Sequence, residues 1–217
     1  MSGNFAKVPP SKATSTRLTG TLALVGALAG LIIIVGYTST IGKIEANRAA
    51  TIDLAIQDVL HEAARYETLY LHDGHLAATA PADAGDHRAG DKVYAGYAED
   101  GRLVGFAIVT REPGFQEPIE ILFGYDPRTK TTLGLAILMS RETPGLGDKV
   151  QRAEWRTQFR GRVSPLIGTK KGSASGPSDV DMITGATISS RAVIGAINKS
   201  IERWAPILAA YTAGGRS

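Results

Sequence analysis

Two short segments place hydroxyl, glycine and carboxylate groups where a phosphate or a flat ligand could be held. The first, Asp181-Met182-Ile183-Thr184-Gly185-Ala186-Thr187-Ile188-Ser189-Ser190, is a small-residue turn feeding RAVIGAINKSIERW, and the spacing predicts a helix from Ser189 to Leu208. Thr187 then lies where the first helical N–H groups lack intrahelical partners and the helix dipole adds positive potential, two terms that favour an anion. A competing reading is that Thr187, Ser189 or Ser190 simply N-caps the helix, worth about 1 kcal/mol. A P-loop is excluded because no Gly-Lys-Ser/Thr follows the turn. The second segment is Glu142-Thr143-Pro144-Gly145-Leu146-Gly147-Asp148-Lys149. Pro144, Gly145 and Gly147 prescribe a tight loop whose backbone can approach a planar ligand, and Leu146 adds an apolar contact. A plain strand-to-helix turn is the alternative.

Other reactive residue types carry less. The chain has no cysteine, which excludes disulfides, zinc-thiolate sites and cysteine-ligated iron–sulfur clusters within it, so redox chemistry would need another cofactor. His61, His72, His75 and His87 match no metal-ligand spacing and read as solvated side chains. Arg160, Arg162, Lys170 and Lys171 read as a solvated face.

The elements that must position the two segments follow from periodicity. Of 217 residues with a net charge of +3, residues 1–17 carry Lys7, Lys12 and Arg17 and no acid, and from Lys43 onward bases and acids balance. The sequence pI near 9.2 therefore reflects the start of the chain, and no basic surface for nucleic acid is predicted. Between Arg17 and Lys43 no residue is charged, and Leu18 to Tyr37 supplies the roughly 20 residues a helix needs to cross a bilayer core. The length of this run and the absence of a small-x-small cleavage site favour an uncleaved anchor over a signal peptide. Basic flanks stay on the cytoplasmic side, so the N-terminus is expected inside and the bulk of the chain outside the cytoplasm, at the inner membrane. Gly26 and Gly30 form a G-x-x-x-G pair that could admit another transmembrane helix. An amphipathic helix is expected from Ile44 to about Tyr70, a loop over residues 72–91, and strands at Lys92–Ala98, Arg102–Thr110, Ile119–Tyr125 and Thr131–Met139. A short helix is expected from Lys149 to Phe159. This order predicts an α+β sheet domain behind a single anchor, divided into a basic tail (1–17), the anchor (18–40), a membrane-proximal helix and loop (41–90) and the sheet domain (91–217).

ETPGLGDK, followed by Trp155 and Phe159 and then by DMITGATISSRAV, resembles the FMN-binding domain shared by the G subunit of Rnf-type electron transport complexes and the C subunit of sodium-translocating NADH:quinone oxidoreductases. The likeness is strongest from about Gly105 to Ala196. The resemblance implies an α+β FMN-binding domain in which a flavin transferase takes FMN from FAD and joins its phosphate to the hydroxyl of Thr187, the last threonine of the D-x-x-T-G-A-T stretch that also holds Thr184. It further implies that Ser189 helps hold the phosphate, that Gly185 and Ala186 leave room for the flavin tail, and that Glu142, Thr143, Gly145, Leu146 and Gly147 lie against the isoalloxazine, with Thr143 and Leu146 foremost. Trp155 and Phe159 could stack on the ring, although their i, i+4 spacing favours the core. The implied function is electron transfer by covalent FMN within an Rnf-type complex that couples ferredoxin/NAD chemistry to ion movement, beside other membrane and iron–sulfur subunits. Chain length favours that branch. The alternatives are a flavinylated subunit of the sodium-translocating enzyme or of another extracytoplasmic reductase, and an anchor in which TGAT only caps a helix.

Overall fold

The computed structural model describes residues 12–79 and 91–214; most of the basic tail and the segment 80–90, with His87, lie outside the described residues. The chain divides into two units, Met1–Ala49 and Ala50–Ser217. Helix α1 (Lys12–Val59) begins in the first. Among the described residues it is the one helix long and apolar enough to cross a membrane, and its aliphatic side chains from Leu18 to Val35 are exposed. A stripe this apolar on all sides has no soluble face to turn outward.

The second unit is built on a six-stranded antiparallel sheet, in the order β2-β1-β3-β4-β5-β6. Its strands are β1 (Arg65–His72), β2 (His75–Ala77), β3 (Lys92–Tyr97), β4 (Leu103–Pro113), β5 (Pro118–Asp126) and β6 (Thr131–Met139). Side chains alternate across a strand, and here both sets are buried. Phe106, Ile108, Ile121, Phe123 and Tyr125 face one core with Val193, Ile197, Ile201 and Trp204 of helix α3 (Thr187–Ala213). Ala107, Val109, Leu122 and Ala136 face a second core with Ala55, Ile56, Val59 and Leu60. The resulting order is helix, sheet, helix, the α+β architecture expected from the sequence.

The end of α1 approaches the sheet closely because glycines lie beneath it. A Cβ at Gly96 would meet Leu60 Cδ1 at 2.7 Å and Ala63 Cβ at 3.0 Å, and one at Gly124 would meet Val59 Cγ1 at 2.7 Å. Gly96→Ala is therefore expected to cost about 1–3 kcal/mol through overpacking, readable as a lowered urea midpoint with an unchanged slope.

Three expectations need correction. The helix predicted to Tyr70 ends at Val59, and Arg65–His72 is strand β1. Tyr66, Thr68 and Tyr70 have strand-favouring side chains, and β1 pairs with β3 from Arg65↔Tyr97 to Tyr70↔Lys92. The start of the predicted loop is a hairpin, since Asp73 and Gly74 take φ of 44° and 84°, a two-residue Asp-Gly turn, and β2 returns beside β1. The helix predicted at Lys149–Phe159 is a single turn, α2 (Ala153–Arg156), between 3-10 turns at Gly147–Gln151 and Thr157–Phe159. The two short parallel strands β7 (Ile167–Thr169) and β8 (Asp179–Asp181) had no sequence counterpart.

Candidate functional site

Strand β8 delivers the chain into the turn at Ile183–Ala186, and α3 starts at Thr187. The turn closes on itself through Ala186 N–H to Ile183 O, 3.0 Å. The Ser190 hydroxyl braces it, accepting from Ile183 N–H at 3.0 Å and donating to Ala186 O at 2.9 Å. Gly185 has φ +82°, where a Cβ would also come within 3.4 Å of Leu146 Cδ2. Gly185→Ala is expected to cost about 1 kcal/mol from left-handed strain, measured as a lowered urea midpoint.

The N-cap is Ala186, with no side-chain cap, so none of Thr187, Ser189 and Ser190 caps the helix. Ser190 N–H makes the first ladder bond, to Ala186 O at 3.0 Å. The N–H groups of Thr187, Ile188 and Ser189 thus lack intrahelical partners, and Thr187 is exposed.

Against this helix start lies a cleft of about 320 Å³, walled by Phe115, Glu142, Thr143, Leu146 and Gly147 on one side and by Gly185, Ala186, Thr187, Ile188 and Ser189 on the other. The volume falls near the low end of the roughly 300–1,000 Å³ range of small-ligand sites. Phe115, Leu146 and Ile188 are exposed there at 64%, 46% and 53%. Three large apolar groups facing water beside the exposed Thr187 hydroxyl and the unpaired N–H groups of the helix start suit a flat ligand carrying an anionic tail. Flavin mononucleotide has that character.

Glu142 holds the walls together. It is buried; Oε1 accepts from the N–H of Phe115 at 2.9 Å and of Gln116 at 3.0 Å, and Oε2 accepts from the Ser189 hydroxyl at 2.5 Å. Gln116 Nε2 donates to Thr143 Oγ1 at 2.9 Å. The carboxylate therefore joins the β4–β5 turn, the Pro-Gly loop and the first turn of α3. Ser189, expected with the backbone after it to hold the phosphate, directs its hydroxyl hydrogen to Glu142, and its backbone N–H has no intrahelical partner.

Of the other residues singled out from sequence, Gly145 lies outside the cleft wall, and Thr184 lines a neighbouring cleft of about 550 Å³ together with Lys149, Arg152, Lys171 and Trp155. Trp155 and Phe159 are buried, pack edge to face at 4.9 Å, and Trp155 Nε1 donates to Asp181 O at 2.7 Å; they belong to the core. Hydrogen bonds from the backbone N–H groups of Gly172, Ala174 and Ser173 outweigh desolvation and hold the Asp181 carboxyl below its ordinary range, so this aspartate pins the loop before β8. Phe115 and Ile188 were missed by sequence reasoning. Their signal was an aromatic in a polar Gly-Phe-Gln turn and an isoleucine between two small polar residues at a helix start.

The FMN-binding domain family matches residues 114–202. The G subunit of the ion-translocating oxidoreductase complex of Methanosarcina acetivorans is 28% identical over 86% of this chain and 93% of its own length. The G subunit of the Na(+)-translocating ferredoxin:NAD(+) oxidoreductase complex of Acetobacterium woodii is 31% identical over 83% of this chain and 87% of its own. Among solved structures, NqrC of Shewanella oneidensis superposes with a TM-score of 0.52 at 18% identity, covering 71% of this chain and 88% of that one. The C subunit of the Na(+)-translocating NADH-quinone reductase of Parabacteroides distasonis gives 0.53 at 20% identity, covering 67% and 78%. These last two likenesses concern the fold.

Proposed function

The chain belongs to the G-subunit family of the ion-translocating oxidoreductase complexes, and from that premise we propose that it is a membrane-anchored electron-transfer protein bearing FMN as a phosphoester on Thr187. The observation that carries this reading is an exposed hydroxyl beside three unpartnered N–H groups, opening onto an apolar cleft within the FMN-binding region.

Bound FMN would supply one- and two-electron carriage, and the protein supplies binding, orientation and electrostatics. Thr187 Oγ would attack the FMN phosphorus of FAD held by a flavin transferase, forming the phosphoester as the pyrophosphate bond breaks, with AMP as the leaving group and the hydroxyl proton passing to solvent. The phosphate charge then falls at the positive end of α3. Phe115, Leu146 and Ile188 shield the ring from water, and the Gly185 turn keeps Leu146 close. The anchor is residues 18–40, the tail 1–17 is cytoplasmic, and the FMN domain faces away from the cytoplasm. Membrane and iron–sulfur subunits of an Rnf-type complex, coupling ferredoxin and NAD chemistry to ion movement, are its partners.

Expression with and without a flavin transferase, followed by denaturing electrophoresis under ultraviolet light, tests the proposal. A fluorescent band that depends on the transferase is expected; a wild-type chain with no band in its presence contradicts it.

A further inference from the structure

Of the ten residues walling the cleft, Glu142 alone is ionisable. Two glycines keep space for its carboxylate: a Cβ at Gly114 would lie 2.5 Å from Oε1, and one at Gly147 2.7 Å from Oε2. Its three donors, two backbone N–H groups and the Ser189 hydroxyl, are neutral, and it takes part in none of the ion pairs among the described residues. A buckle between three segments needs only acceptors, which a glutamine could largely supply. Its carbonyl would accept from Phe115 and Gln116, and its amide would donate to a rotated Ser189 hydroxyl. What glutamate adds is a fixed negative charge, 5% exposed, where water screens little.

We propose that Glu142 is a positioning residue whose charge also lowers the reduction potential of a flavin held in this cleft. The inference rests on the flavin reading of the cleft and is independent of the bond to Thr187. Two electrons from the donor with one proton from water would give the ring a net negative charge in its reduced form, and Glu142 is neither reduced nor protonated in the step. Electrons added beside a carboxylate raise the energy of the reduced form more than that of the oxidised form, so the site binds oxidised flavin more tightly.

The full chain made without transferase, titrated anaerobically with oxidised and with dithionite-reduced riboflavin, isolates this effect. Wild type should prefer oxidised riboflavin, and Glu142→Gln should shrink that preference by about 10-fold. In the flavinylated protein the same variant should titrate at a more positive potential. Ser189→Ala, which keeps the charge and removes one donor damping it, should shift the potential the opposite way, and it carries the test if Glu142→Gln fails to fold. An oxidised-to-reduced preference unchanged in Glu142→Gln, absence of riboflavin binding by wild type, or an upward shift in Ser189→Ala overturns the proposal. Riboflavin ratios that behave as stated in a chain that never acquires covalent flavin would instead sink the Thr187 assignment alone.

Discussion

Thr187→Ala is expected to lose covalent flavin completely while unfolding within about 0.5 kcal/mol of the wild type, as exposed substitutions usually do. The two halves of this expectation have separate causes. Thr187 opens α3 without capping it and is exposed at the cleft, so removing its hydroxyl leaves neither a buried partner unsatisfied nor a cavity. The turn before it is braced by Ser190, which the substitution does not touch. Thr187→Ser retains an acceptor oxygen and should recover part of the fluorescence. Measuring the in-gel flavin signal beside the urea midpoint distinguishes this from a role of Thr187 in folding, which would lower both.

Glu142→Ala, by contrast, is expected to lower stability as well, by about 3–5 kcal/mol. The truncation leaves the N–H groups of Phe115 and Gln116 and the Ser189 hydroxyl without their acceptor, at about 1–3 kcal/mol for each buried donor that water does not reach. The thermal midpoint should fall by roughly 6–20 °C. Because those donors lie on two segments, the β4–β5 turn and the first turn of α3, that Glu142 ties to its own loop, flavin incorporation should fall with it. Thermal unfolding of the flavin-free chain, compared with Glu142→Gln, reads the scaffold contribution; a midpoint unchanged in Glu142→Ala would mean that the walls do not depend on this carboxylate.

Much of this architecture was legible from residue order. Strands β3 to β6 stand out because turn residues punctuate apolar runs, and α3 because its buried positions recur at helical spacing. β1 was concealed by the helix before it: Arg65–His72 contains leucines and a glutamate that a helix also accepts, and only pairing with β3 decides for a strand. β7 and β8 are three residues each, too short for alternation to register. At the site, the Pro-Gly loop and the TGAT turn were recognisable as small-residue segments, and the fold brings Thr143, Leu146, Gly185 and Thr187 to one cleft. The role of Glu142 was not legible, because its partners at Phe115 and Gln116 are 27 and 26 residues away and the third, at Ser189, is 47. A buried carboxylate's meaning comes from donors that only the sheet assembles.

The neutral balance of charge beyond the anchor also takes on physical content. Most carboxylates of the second unit that form ion pairs do so at the surface, as in Asp58 with Arg156 and Arg160 and Asp91 with Arg203, where each pair contributes little. Glu142 differs because its partners are neutral and its surroundings apolar.

The most direct measurement is peptide mass mapping of the wild-type chain expressed with a flavin transferase. One FMN phosphoester is expected, on the peptide containing Thr187 and localised to that residue by fragmentation. An unmodified Thr187 peptide, or flavin on any other residue, would contradict the assignment.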